Sequence, residues 1–267
     1  MSYQVWTGGG GLGGWSLLNR TGDRQRELVA NYGTVRTSSA YYRQNIGEVE
    51  TAGGLLSDYR LLNVSLRAFG LQADIGNKAF LRKILESDLS DQGSLANRLS
   101  NKSYRKFAEA FGFGANKDGV ISNRTATKGF AEEIVAGYVE REFETRVGQT
   151  DENLRLALTA RRELSSLAAA SSTNDTKWYE VLGNTPLRKV FQGAFGFSDS
   201  YGKLPIDRQL QEYKSAAVKM FGSDDMARFS DEDTSETLVR NFLVRSAVQS
   251  DSATNRYSTA LALLSAY

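Results

Sequence analysis

Residues 51–71 read Thr-Ala-Gly-Gly-Leu-Leu-Ser-Asp-Tyr-Arg-Leu-Leu-Asn-Val-Ser-Leu-Arg-Ala-Phe-Gly-Leu, and their apolar positions recur with a helical period. Leu55, Tyr59, Leu62, Leu66 and Phe69 follow at steps of four, three, four and three, which predicts one amphipathic helix from Thr51 to Phe69. The stretch closes on Ala68-Phe69-Gly70-Leu71. A Phe completing the stripe, a Gly free to turn left-handed and an apolar residue folding back are the ingredients of a helix C-terminus.

That ending recurs in Ala110-Phe111-Gly112-Phe113 and Ala194-Phe195-Gly196-Phe197, and more weakly in Met220-Phe221-Gly222. Its surroundings echo too: Tyr59-x-x-Leu62 and Tyr179-x-x-Leu182 precede it, and Gly70 to Gly76 repeats the spacing of Gly196 to Gly202. Phe80-Leu81-Arg82 is answered by Phe242-Leu243 and Arg245. The pattern predicts a duplicated helical unit, residues 50–113 and 174–251, with an insertion between Gly202 and Phe242 in the second copy. Phe69, Phe111 and Phe195 then bury their rings while Gly70, Gly112 and Gly196 take the left-handed position. The functional alternative is an aromatic motif reused to recognise a repetitive ligand.

Helical spacing fills nearly everything from Asp23 onward. Phe80 with Ile84, Tyr104 with Phe107 and Phe111, and a long segment from Thr125 to Val147 mark further helices. Thr150 before Asp151 and Glu152 reads as an N-cap opening the next helix, so these two long helices are expected to form a central hairpin. Ser171 to Asp175 is a linker or capping loop, Pro186 opens a helix, and others are expected at Ile206 to Phe221, Glu236 to Val248 and from Ser252 into Tyr267. The fold class is therefore all-α and multihelical. The expected organisation is a Gly-rich flexible arm at 1–22, one helical half at 23–150 and another at 151–267, in one compact body.

Composition excludes much chemistry. Among 267 residues there is no Cys and no His, which removes thiolate nucleophiles, disulfides, imidazole triads and the usual zinc ligands. Lys and Arg total 33 against 31 acidic residues, spread along the chain, so nucleic acid is not suggested as a partner. No apolar run reaches the ~20 residues of a membrane span, and a start without a basic or an apolar stretch leads to the expectation of no secretory signal. No cofactor is expected.

Three segments imitate sites. Gly8 to Gly14 satisfies G-x-G-x-x-G twice, but the stretch before it is short and polar where a dinucleotide site needs a strand. It reads instead as an arm whose Trp6 and Trp15 anchor on the body or on a partner. Asn116-Lys117-Asp118-Gly119 resembles the middle of a calcium loop, yet Gly114 and Thr125 stand where the end carboxylates belong, leaving an Asp-Gly turn. Asp224, Asp225, Asp231, Glu232, Asp233 and Glu236 form one acidic cluster, interleaved with Ser and Thr as at helix starts. Arg141, Arg146, Arg155, Arg161 and Arg162 alternate with Glu, as on a solvated, salt-bridged face.

Several motifs in order resemble the bacterial domain of unknown function 1217 family: Tyr42-Arg43-Gln44-Asn45-Ile46-Gly47, Ala68-Phe69-Gly70-Leu71, Ala96-Asn97-Arg98-Leu99, Ala110-Phe111-Gly112-Phe113, Gly183-Asn184-Thr185-Pro186-Leu187-Arg188 and Asp207-Arg208-Gln209-Leu210. The likeness runs from about Leu17 to Val248. It implies a multihelical, duplicated protein of alphaproteobacteria, often encoded among flagellar genes, with no activity to carry over. The expected function is a non-enzymatic interaction protein with a flagellar component as partner, cytoplasmic or exported through the flagellar apparatus. The alternative is a carboxylate-dependent enzyme or divalent-metal binder centred on residues 224–236.

Overall fold

The computed structural model describes residues 4–265, and every regular element among them is a helix or a short 3₁₀ turn. The α-helices are α1 (Gly11–Ala30), α2 (Gly33–Asn45), α3 (Ala52–Ser57), α4 (Tyr59–Phe69), α5 (Lys78–Leu85), α6 (Leu95–Arg98), α7 (Ser103–Phe111), α8 (Phe130–Gly148), α9 (Glu152–Ala169), α10 (Asn174–Gly183), α11 (Thr185–Phe195), α12 (Ile206–Phe221) and α13 (Glu232–Ser265). The fold is all-α. The chain divides into two compact units, Met1–Val5 with Thr21–Arg146, and Trp6–Arg20 with Val147–Tyr267.

In the first unit, α2 packs on α4, and α7 packs on both α4 and α5. Tyr42 is fully buried and its hydroxyl meets that of Ser65 at 3.1 Å, so its polar end is satisfied inside an apolar contact. The expected single helix from Thr51 to Phe69 is two. Asp58 breaks it, because its carboxylate accepts the N–H groups of Arg60 (2.8 Å) and Leu61 (3.0 Å) and starts α4 afresh. Tyr59, placed on the apolar stripe by its spacing, is the first residue of α4 and lies 62% exposed.

The Phe-Gly endings have two forms. After α4 and α11 the Gly is left-handed and two bonds lock the turn: Gly70 N–H to Arg67 O (3.0 Å) with Leu71 N–H to Leu66 O (2.7 Å), and Gly196 N–H to Gly193 O (3.1 Å) with Phe197 N–H to Gln192 O (2.9 Å). After α7 and α12 a single bond closes it, Gly112 N–H to Ala108 O (2.9 Å) and Gly222 N–H to Val218 O (2.8 Å). A side chain would strain all four positions by about 1–2 kcal/mol. At the first pair it would also meet a guanidinium: Arg141 of α8 lies 3.3 Å from where a Gly70 Cβ would stand, and Arg245 of α13 occupies that place at Gly196. A cation at a helix C-terminus opposes the negative end of the helix dipole.

The three Phe rings are not equally buried. Phe111 is 0% exposed, in edge contact with Phe107 (5.2 Å) and Phe130 (5.2 Å). Phe69 and Phe195 are only half-buried, since the last residue of a helix reaches the margin of the core; Phe69 leans edge-on against Phe107 at 5.4 Å. Tyr59 and Tyr179, paired by their motif, fall in non-matching elements, one opening α4 and the other inside α10. A different likeness emerges: Ile134, Val135 and Tyr138 precede Arg141 as Leu238, Val239 and Phe242 precede Arg245, all six buried.

The Arg-Glu alternation on α8 is largely enclosed rather than solvated. Glu144 is 3% exposed beside Arg141, Glu142 pairs with Arg67, and Arg26 grips Glu140 through two nitrogens (2.5 and 3.1 Å) while lying 4.6 Å from the Phe143 ring.

In the second unit, α9 packs on α11, on α13 and on the 3₁₀ turn Met226–Ser230. Trp178, Phe191 and Tyr213 are fully buried there, with Phe191 5.3 Å from Trp178 and 5.4 Å from Phe229. Of the two long helices expected to pair centrally, α8 lies almost wholly in the first unit, and α9 belongs to the second, where it packs on α11 and α13. Asp151, not Thr150, caps α9. The two helices expected after Glu236 are one, because no Gly or Pro interrupts α13 and Asp231 already supplies its cap through Thr234 N–H at 3.1 Å. Segment 1–22 is corrected as well, being helical from Gly11 onward.

Phe111→Ala should destabilise by about 3–5 kcal/mol in urea denaturation, and Phe69→Ala and Phe195→Ala by less than that. Burial pushes the hydroxyl of Tyr213 up to about 12, and burial with the bond to Asp74 pushes Tyr104 up to about 12. Folding therefore favours their protonated forms. That contribution is intact below the ordinary tyrosine value of 10 and is lost as pH rises toward 12, so the melting temperature should fall across that window, less steeply in Tyr213→Phe.

Candidate functional site

The Gly-rich run is a hinge into a helix. Gly8, Gly9, Gly10 and Gly11 all have positive φ (60°, 103°, 85° and 55°), and the chain then enters α1. Asp151 holds it there: one carboxylate oxygen accepts Gly11 N–H at 3.1 Å while the other accepts Asn153 N–H (2.8 Å) and Leu154 N–H (3.1 Å). One side chain thus serves the N-termini of α1 and α9. The dinucleotide resemblance ends here, because a carboxylate occupies the helix start where a pyrophosphate would sit and no strand precedes it among the described residues.

Trp15 and Trp6 part company. Trp15 is 2% exposed, its indole N–H donating to the two oxygens of Glu236 at 2.8 and 3.0 Å. The Arg161 guanidinium lies 4.9 Å from its ring and bonds Asn19 Oδ1 at 2.8 Å. Trp15 therefore anchors on the body, the first of the two alternatives the sequence offered for it. Trp6 is 67% exposed and remains a candidate partner anchor.

Beside Trp15 a groove of about 490 Å³ opens between α1 and α13. Its floor is Trp15 and Glu236, and its walls carry Ser16, Asn19, Arg20 and Arg240. Arg20 and Arg240 are both exposed. Neither makes an ion pair among the described residues, although Arg240 stands four residues after Glu236, whose carboxylate takes the Trp15 indole N–H. A second groove of about 670 Å³ runs past Arg188, Lys189, Gln192 and Ser246, with Glu152 at its edge already bound by Arg155. Sequence reading missed Asp151, Arg20 and Arg240 as a set. The one available signal was the Glu236/Arg240 spacing on a single helix.

The acidic cluster disperses into local tasks. Asp224 pairs with Lys214 at 3.0 Å and lends its backbone carbonyl to the indole of buried Trp178 at 2.8 Å. Asp225 caps the turn Met226–Ser230 through Ala227 N–H (2.9 Å), Asp231 caps α13, and Glu236 holds Trp15. Hydrogen bonds from the Thr234 hydroxyl and amide keep the Asp231 carboxyl below its ordinary range. No three acidic groups among the described residues are arranged to hold a metal ion. The calcium-like segment is a turn in which Asn116 Oδ1 accepts Asp118 N–H (3.0 Å) and Val120 N–H (2.9 Å), closed by a bridge between Ala115 and Ile121. None of the helices among the described residues is long and apolar enough to cross a membrane.

This arrangement of helical units has known relatives. The model of a protein family of unknown function, DUF1217, matches residues 68–258, and the chain belongs to that family. The crystal structure of protein AGR_C_984 from Agrobacterium tumefaciens is similar over 93% of this chain and 97% of its own, with a TM-score of 0.74 and 21% identity, a likeness of fold. No curated protein matches.

Asp151→Ala should lower stability by about 1–2 kcal/mol through the lost cap. Asp151→Ser restores a cap acceptor without the reach to Gly11, so it should recover only part of the loss, as read by thermal melting.

Proposed function

We propose that this chain is a non-enzymatic helical interaction protein, built of two copies of one helical unit and acting as an assembly, export or regulatory component of the flagellum. The observation that carries the interaction reading is the groove at Trp15, a formed depression whose two wall arginines have no ion-pair partner among the described residues, while Asp224, Asp225 and Asp231 are engaged in caps and pairs. Exposed Trp6 adds an aromatic anchor in the same unit. The flagellar context rests on the family resemblance, and it fits either a cytoplasmic location or passage through the flagellar apparatus.

The duplication is supported by helix ends that come in the same order in each unit, a two-bond left-handed ending beneath an arginine and then a one-bond ending. The matching Ile134-Val135/Tyr138/Arg141 and Leu238-Val239/Phe242/Arg245 patterns add to it. On this reading the first copy reaches through α8, beyond residue 113.

Tagged full-length chain should retain a flagellar structural or export protein from lysate of its own bacterium, and clean deletion should impair swimming. Trp6→Ala should weaken capture without changing the melt. Normal swimming after deletion would remove the flagellar assignment, and absence of any captured partner would remove the interaction reading.

A further inference from the structure

We infer that the groove between α1 and α13 receives an acidic side chain of a partner polypeptide, whose carboxylate is held between Arg20 and Arg240; this rests on the interaction reading above. Arginine presents a planar fork that matches a carboxylate, and both guanidinium groups here line one depression. Two charged groups nearby already have partners. The Glu236 carboxylate takes the Trp15 indole N–H through both oxygens, and Arg161 is occupied by the Trp15 ring and Asn19.

The charge arithmetic selects the ligand. Arg20 and Arg240 against Glu236 leave one positive charge in the groove, which a carboxylate balances and a phosphate dianion overshoots next to Glu236. Leu12, 36% exposed at the rim, offers an apolar contact for a residue flanking the acid. The glycine hinge and Asp151 fix the wall that carries Arg20, so the two arginines are held on helices rather than on loops.

The test uses the full chain and a fluorescein-labelled peptide, Gly-Leu-Glu-Leu-Glu-Leu-Gly, with its Gln counterpart, in anisotropy titrations at low and moderate salt. The Glu peptide should bind at least tenfold more tightly than the Gln peptide, and weaken as salt screens the pair. The double variant Arg20→Gln/Arg240→Gln should lose at least tenfold in affinity with an unchanged melt, since both side chains are exposed. Acetate should displace the peptide at lower concentration than inorganic phosphate. Equal binding of the two peptides, equal binding by wild type and double variant, no binding at millimolar protein, or phosphate outcompeting acetate would each overturn the inference. In the lysate capture, a double variant that retains the same partner as wild type sinks the groove alone, whereas a wild type that retains nothing sinks the interaction reading with it.

Discussion

Stopping a helix under a charged neighbour is the constraint on which each unit depends. An α-helix ends with unpaired carbonyls, and in a bundle made of short helices those ends crowd into the packing. Here Gly70 and Gly196 turn left-handed, the amides of each glycine and of the residue after it fold back onto the last turn, and Arg141 or Arg245 lies over the end. Glycine does two things at once: it removes the steric cost of positive φ and leaves room for the guanidinium. The apolar residue that follows, Leu71 or Phe197, is thereby aimed back at the core and carries the chain into the next element.

The same economy of polar groups organises the second unit around its N-terminal segment. Asp151 joins the starts of α1 and α9, and Glu236 holds the indole of Trp15, so two carboxylates tie residues far apart in sequence. Each is spent on a partner that would otherwise be an unsatisfied donor at a part-buried position. Arg240, on the same helix as Glu236, makes no ion pair among the described residues, although its spacing from that carboxylate invites one.

Most helices were legible because a 3.6-residue apolar period and Gly endings are local signals. Ile206 to Phe221 is helical over that whole range, with left-handed Gly222 after it, and Pro186 does stand at the start of α11. The errors occurred where a local signal had a competitor. Asp58 offered a cap inside an unbroken apolar stripe and prevailed, and a run of glycines read as a free arm because its stabilising contacts come from Asp151, Leu154 and Glu236. The two candidate anchors read alike from the sequence, each on the body or on a partner, and what separates them is the distant Glu236 carboxylate that takes the indole of buried Trp15 while Trp6 stays exposed.

By itself the sequence determined an all-α chain of many short helices, with left-handed glycines as stops and neither thiol nor imidazole chemistry, because these follow from periodicity, backbone sterics and composition. Only the tertiary structure decided that α8 and α9 belong to different units, that α1 begins within the second, and that Arg20 and Arg240 flank one groove. Those outcomes turn on pairings over more than a hundred residues, and no local energy term in the chain records which distant carboxylate an amide or indole will find.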